Sequence, residues 1–195
     1  KDFNFYFDIN KNRYSLTKIN GNINDIKLSS PSIKVDKKKD FFLVKGNVAT
    51  IEKNFDVKQL SILPGSFLTN LDIETIKFSS INDFSFNLSK KLKINDLNIK
   101  SEVMLKQLDI KKNLLSLKSY LPNFNEKIKF ENHKIKIDYK KKIFDIKGSG
   151  DVLIDEKPDS LKYQISKNND QLFFKTKINL KNKRPIIEFL DFEKV

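Results

Sequence analysis

The chain has 195 residues, a formal net charge of +13, 17 phenylalanines, one histidine and no cysteine. Without cysteine there are no disulfides and no thiolate metal sites. A single histidine, His133, cannot build a His-based metal cluster, and no conventional Ser-His-Asp arrangement is expected around it. The length suffices to bury a core, in one large domain or two modest ones.

The excess of lysine invites a nucleic-acid reading, because clustered cations displace counterions from phosphates. Its distribution argues against one. Arg13 and Arg184 are the only arginines, whereas phosphate and base readout favours the bidentate guanidinium fork. The lysines recur at the outward positions of successive apolar-alternating segments, where they make a solvated, aggregation-resistant face.

In chain order, Phe3 to Ile9 alternates strictly, and Lys11-Asn12-Arg13 turns into Tyr14 to Ile19. Ile23 to Leu28, Ile33 to Val35 and Phe41 to Val48 follow, separated by Ser29-Ser30-Pro31 and by a turn over Asp36 to Asp40. Further short strands are expected at Phe55 to Ile62, Leu71 to Phe78, Phe84 to Leu88, Leu92 to Ile99 and Val103 to Ile110. Turn-forming or charged residues such as Ser79-Ser80, Asn82-Asp83 and Asn95-Asp96 divide them. From Lys112 to Leu121 the period changes: Leu114, Leu117 and Leu121 fall at i, i+3 and i+7 before Pro122, the pattern of a short amphipathic helix. The chain then returns to strands in two hairpins, Ile135 to Ile154 and Leu161 to Leu180, and Pro185 opens a last run, Ile186 to Phe192.

The hairpin from Ile135 to Ile154 organises the rest. Phe144, Ile146, Val152 and Ile154 share one parity with Gly148 and Gly150, which puts both glycines on the apolar face, where a missing side chain leaves a bend or a gap. Ser32 to Gly46 aligns without gaps onto Lys134 to Gly148, each residue matching the one 102 positions on, with Ile33/Ile135, Asp36/Asp138, Phe42/Phe144 and Gly46/Gly148 identical. This is the signature of a repeated supersecondary unit. Ile19-Asn-Gly21-Asn-Ile23 is a weaker echo.

Catalytic chemistry is not expected. Gly148-Ser-Gly150 precedes an alternating strand rather than a helix N-terminus, so it is not a phosphate cradle. Asp36, Asp138, Asp145 and Asp151 fall in turns or at outward parity, and His133 reads as a solvent-exposed turn residue. No cofactor is expected.

A mainly β fold follows. The apolar faces either meet in a closed sandwich or barrel or line an extended, curled antiparallel sheet of repeated hairpins that forms a hydrophobic groove. Glycines at inward parity favour the second. The expected organisation is a first β-repeat unit, residues 1–121, ending in the short helix near 112–121, and a second unit, residues 122–195, in one continuous sheet. The alternating run at the first residues suggests a piece of a longer polypeptide.

The apolar-x-apolar-x-Gly-x-(Gly)-x-apolar pattern at Ile19 to Ile23, Phe42 to Val48 and Phe144 to Ile154, with lysine and asparagine outward, resembles the AsmA-like superfamily. Leu114 to Asn123 followed by the Gly148-Ser-Gly150 hairpin is most similar to the YhdP-type arrangement of that superfamily, which also includes the TamB proteins. The resemblance implies a periplasmic bridge in a Gram-negative envelope, tethered to the inner membrane by an anchor outside these residues. Its β-groove would carry phospholipid or other acyl-chain lipid between inner and outer membranes. Flanking repeats of the same longer chain would be its partners, and no catalytic residues are implied. The candidate groove-lining residues are Phe42, Val44, Val48, Phe144, Ile146, Val152, Ile154, Phe174 and Ile178, with Gly46, Gly148 and Gly150 at the groove bend. The alternative is a structural or adhesive β-repeat module with a closed dry core and no lipid cargo.

Overall fold

The structure, a computed structural model, describes residues 3–23, 25–55, 72–111, 127–141, 143–153, 157–168 and 171–180, and the backbone at 186–187 and 192–193. Alternating residues build β1 (Phe3–Asn10), β2 (Arg13–Ile23), β3 (Ile26–Lys37), β4 (Phe41–Phe55) and β5 (Ile73–Ser89). They continue in β6 (Ile94–Lys111), β7 (Lys127–Lys140), β8 (Ile143–Leu153), β9 (Pro158–Asn168) and β10 (Gln171–Asn179). These ten strands form one antiparallel sheet in which each strand pairs with its neighbours in the chain. β1 and β10 do not pair, so the sheet is open. β11 (Ile186–Ile187) and β12 (Phe192–Glu193) form a separate two-residue ladder. The sheet is continuous from β6 to β7, which pair from Asn98↔Lys140 to Lys111↔Lys127, on either side of residues 112–126. No helix occurs among the described residues, and the helix expected near residues 112–121 lies outside them.

The strands are fewer and longer than the turn-formers suggest. Ser29-Ser30-Pro31 lies inside β3, Ser79-Ser80 and Asn82-Asp83 inside β5, and Asn95-Asp96 inside β6. Pro31 fits because the β3–β4 register shifts between Ser29 and Ile33, where a missing N–H costs no ladder bond. Ser80 and Asn82 fit because cross-strand partners satisfy them. Thr50 Oγ1 and Ser80 Oγ lie 3.0 Å apart, the Ser80 N–H donates to Thr50 Oγ1 at 3.0 Å, and Asn82 Nδ2 donates to Val48 O at 3.0 Å and to Ser80 Oγ at 2.9 Å.

Bulges bend the ladder. Three residues within strands, Lys18 (φ 52°), Asp96 (φ 50°) and Asn132 (φ 54°), adopt the left-handed region. Each sits at a register shift, opposite the neighbourhood of Phe5, Phe86 and Gly150 respectively. An extra residue at such a site bends and twists the strand locally.

The repeat is structural as well as sequential. Ile33 pairs with Gly46 and Val35 with Val44 in β3–β4, and 102 residues on Ile135 pairs with Gly148 and Ile137 with Ile146 in β7–β8. The register also shifts at matching places, after Ser29 and after Glu131. The preceding strand sets a cation opposite the matched aspartate in both copies: Arg13↔Asp36 and Lys100↔Asp138.

Burial concentrates where β4 ends and β5 begins. Phe55, Ile73, Ile76 and Leu105 form a core cluster, joined by Ile26, Phe78, Leu108 and Phe130. The Phe55 and Phe78 rings stack with centroids 4.1 Å apart.

Asn82 tests the cross-strand polar network. Asn82→Ala removes both of its hydrogen bonds and leaves Ser80 and the Val48 carbonyl short of a partner. Stability to urea should fall by about 1–2 kcal/mol, with far-UV circular dichroism unchanged; an unaltered midpoint would show that water replaces Asn82 without loss.

Candidate functional site

In a ladder, paired residues share a face, so the register decides which apolar side chains become neighbours. One row is apolar from β1 through β8: Phe7, Leu16, Ile33, Gly46, Phe84, Ile99, Tyr139 and Phe144. At 4.8 Å per strand this lane is about 34 Å long. It ends on Lys167 of β9, with Leu172 of β10 beyond. The neighbouring row, Val48, Asn82, Ser101, Ile137, Ile146, Ile165 and Phe174, is interrupted by Asn82 and Ser101. Together with Thr50 and Ser80 these make a polar belt on an otherwise apolar face. Among the described residues the only element outside the sheet is the β11–β12 ladder, and they supply no second full layer over this face.

The expected groove-lining residues that the structure describes fall on this face, in unequal surroundings. Phe42, Val48, Phe144 and Ile146 are half-buried on β4 and β8. Val44, 7% exposed, and Val152, 4% exposed, are core positions. Phe174 and Ile178 on the edge strand β10 are 67% and 49% exposed, and Ile154 lies outside the described residues. Phe7, Leu16, Ile33, Phe84, Ile99 and Tyr139, which complete the lane, are outside the expected set. Strand parity gives each of them the inward face, but only the register shows that they meet.

The glycines have a specific neighbour each. A Cβ on Gly46 would lie 2.8 Å from Phe84 Cζ and 2.9 Å from Ile33 Cγ1. On Gly148 it would overlap the Tyr163 ring, on Gly21 the Phe3 ring, and on Gly150 the His133 ring, with His133 Cα at 2.7 Å. Each of these glycines is therefore a slot for a ring from an adjoining strand, the pairing by which an aromatic covers backbone that glycine leaves bare. The slots stand beside bulges: Gly46 at the end of the β3 shift, Gly150 opposite Asn132 and His133.

His133 is not an exposed turn residue. It lies inside β7 and is 1% exposed, because the Asn132 bulge carries its ring over Gly150 of β8. The ring sits 5.7 Å from Phe130, edge-on, and 5.7 Å from Tyr163. Nε2 lies 2.9 Å from Asp151 O; a carbonyl only accepts, so Nε2 carries the proton and Nδ1 is the acceptor nitrogen. Nδ1 has no hydrogen-bond partner among the described residues. Burial lowers the His133 pKa, against a smaller opposing effect of the Asp151 carbonyl, and burial raises that of Tyr163.

The opposite face is rich in polar side chains, and several of its carboxylates are tied to cations or amides. Arg13 donates through Nε to Asp36 Oδ1 at 2.6 Å and through Nη2 to Oδ2 at 3.2 Å, which holds the Asp36 carboxyl below the usual range. Lys147, at 2.8 Å, lowers Asp145, aided by the Gln164 amide. Two shallow depressions of about 450 and 430 Å³ lie on this polar face. Among the described residues no group of His, Asp or Glu side chains is arranged to hold a metal ion. Comparison with protein-family models, curated proteins and solved structures finds no match.

Two outcomes are expected. Gly150→Ala should destabilise the sheet by about 1–3 kcal/mol, because the new methyl meets His133 backbone. Gly148→Ala should cost less, since the Tyr163 ring can swing away, and its cost should vanish in a Tyr163→Ala background; equal costs in chemical denaturation would remove this account. The His133 linkage has a definite sign. A pKa lowered in the folded state means that the unfolded chain binds the proton more readily. The contribution is therefore complete above the ordinary histidine value of 6.5 and is lost as pH falls from there towards the depressed folded value. Melting temperature should drop between about pH 7 and pH 5 by more in the wild type than in His133→Phe; parallel curves would contradict it.

Proposed function

We propose that this chain is a segment of a lipid-transfer bridge of the AsmA-like type, whose apolar lane holds acyl chains while polar headgroups stay at the lysine-bearing rim. The observation that carries the reading is the row from Phe7 to Phe144, apolar over eight strands of an open sheet. A sheet that keeps an aromatic and aliphatic face without a second sheet needs an apolar partner for it, and each buried methylene of an acyl chain contributes roughly 0.8 kcal/mol. Exposed Phe3, Phe5 and Phe7 on β1 and Leu172, Phe174 and Ile178 on β10 continue the apolar face to both edges. This favours flanking repeats of the same longer chain as neighbours. On this reading the protein works in the periplasm of a Gram-negative bacterium, tethered to the inner membrane by a segment outside these residues, and contributes to envelope integrity. Transfer needs no catalytic group here.

A photo-reactive side chain placed at Ile99 or Ile146 should crosslink to phospholipid in cells, and one at Lys100, the next residue on the polar face, should not. Native mass spectrometry after mild purification should show bound lipid that Ile99→Asp removes. Absence of both adduct and bound lipid would instead favour the structural module with a dry, closed core.

A further inference from the structure

The lysines on the polar face are not evenly spread. Register aligns Met104, Lys134, Ser149, Lys162 and Lys177 in one row across β6 to β10, and Glu102, Lys136, Lys147, Gln164 and Lys175 in the next. Six lysines and one acid thus fill a stripe two rows wide. Acids border it: Asp138 and Asp145 lie in the row on one side, Glu131 and Asp151 in the row on the other. Two lysine pairs, Lys136↔Lys147 and Lys162↔Lys177, stand directly opposite each other, an arrangement that costs stability in the free sheet. Lys136 reaches Glu102 at 3.3 Å and Lys147 reaches Asp145 at 2.8 Å. Lys134, Lys162, Lys175 and Lys177 have no ion pair among the described residues.

The stripe begins at the larger depression, about 450 Å³, whose lining includes Ala49, Ile81, Met104, Lys134 and Lys136. Ile81 and Met104 are exposed there, at 53% and 42%; Phe173, Ile143 and Tyr6 are other exposed large apolar side chains of this face, and none of them lines the depression. From the depression to β10 is about 19 Å, the length of roughly six extended residues.

We propose that the depression and stripe together dock an acidic, extended protein segment, with one apolar side chain seated on Ile81 and Met104 and carboxylates over Lys134, Lys162, Lys175 and Lys177. The acidic margins favour this partner. A flat anionic bilayer would meet Asp138, Asp145, Glu131 and Asp151 along with the lysines, and a nucleic-acid strand would bring charge at every unit with no apolar anchor. A peptide can place carboxylates over the stripe alone. Lysine rather than arginine suits point-charge pairing without bidentate geometry. The proposal is independent of what occupies the apolar face.

The test is fluorescence anisotropy with a labelled hexapeptide, a leucine followed by alternating glutamate and serine. The controls are its lysine-for-glutamate analogue, a labelled oligothymidylate and phosphatidylglycerol vesicles. Saturable, salt-sensitive binding of the acidic peptide is expected. It should weaken about tenfold in Lys162→Gln/Lys177→Gln and also in Met104→Lys, with melting unchanged, but stay the same in Lys27→Gln/Lys45→Gln, which removes equal charge elsewhere on the same face. Equal weakening by the two double variants, insensitivity to Met104→Lys, tighter binding of oligothymidylate or vesicles, or no peptide binding would each overturn it.

Discussion

Register is the constraint on which the molecule depends. In a single-layer sheet every residue belongs to one face or the other, and a slip of one position between any two strands would carry a whole strand's phenylalanines and isoleucines into the lysine rows. A β-sandwich can correct such an error through its second layer, but an open ladder has only its cross-strand pairs. The pairs that resist slipping here are the ones that work in one alignment alone. Phe84 fits over Gly46, Tyr163 over Gly148 and His133 over Gly150, and a shifted partner would press each ring against a side chain. On the other face the Arg13–Asp36 fork has the same property.

The slots also explain how the sheet tolerates bulges. An extra residue at Asn132 would normally leave a side chain without a berth; instead the displaced His133 occupies the space Gly150 vacates and finds the Asp151 carbonyl. Bend and slot are thus two parts of one device, with the strand curvature produced at the left-handed residue and the packing restored at the glycine across from it. The cost is a buried neutral imidazole whose Nδ1 has no partner among the described residues, which makes β7–β8 more sensitive to acid than the first copy of the hairpin, where Pro31 takes the position 102 residues earlier.

Much of this was legible in the sequence because strand parity is a local property. The apolar face of β8, the inward placement of Gly148 and Gly150 and the correspondence of Ser32–Gly46 with Lys134–Gly148 can all be read along one strand. What could not be read depends on a partner strand. Ser79-Ser80 and Asn82-Asp83 look like turns until Thr50 and the Val48 carbonyl are set opposite them. His133 shares the parity of Ile135 and Ile137, but only the register sets it opposite Leu105 and over Gly150. The lane through Phe84, Ile99 and Tyr139, and the polar belt beside it, exist only once ten registers are fixed together.

The same register gives the two faces different grains. On the apolar face the lane crosses each strand once, so a chain lying along it meets one side chain about every 4.8 Å, a series of similar contacts without a single deep pocket. Such a surface suits a partner that must slide rather than be held, and the notch at Gly46, filled by Phe84, keeps the series level where a side chain is missing. On the polar face like charges are gathered into a stripe and bounded by acids, a pattern that would fix the proposed acidic partner in place rather than let it slide. Both patterns run across the strands, in the direction in which a repeated hairpin extends, so adding repeats would lengthen a sliding surface on one side and add separate docking points on the other.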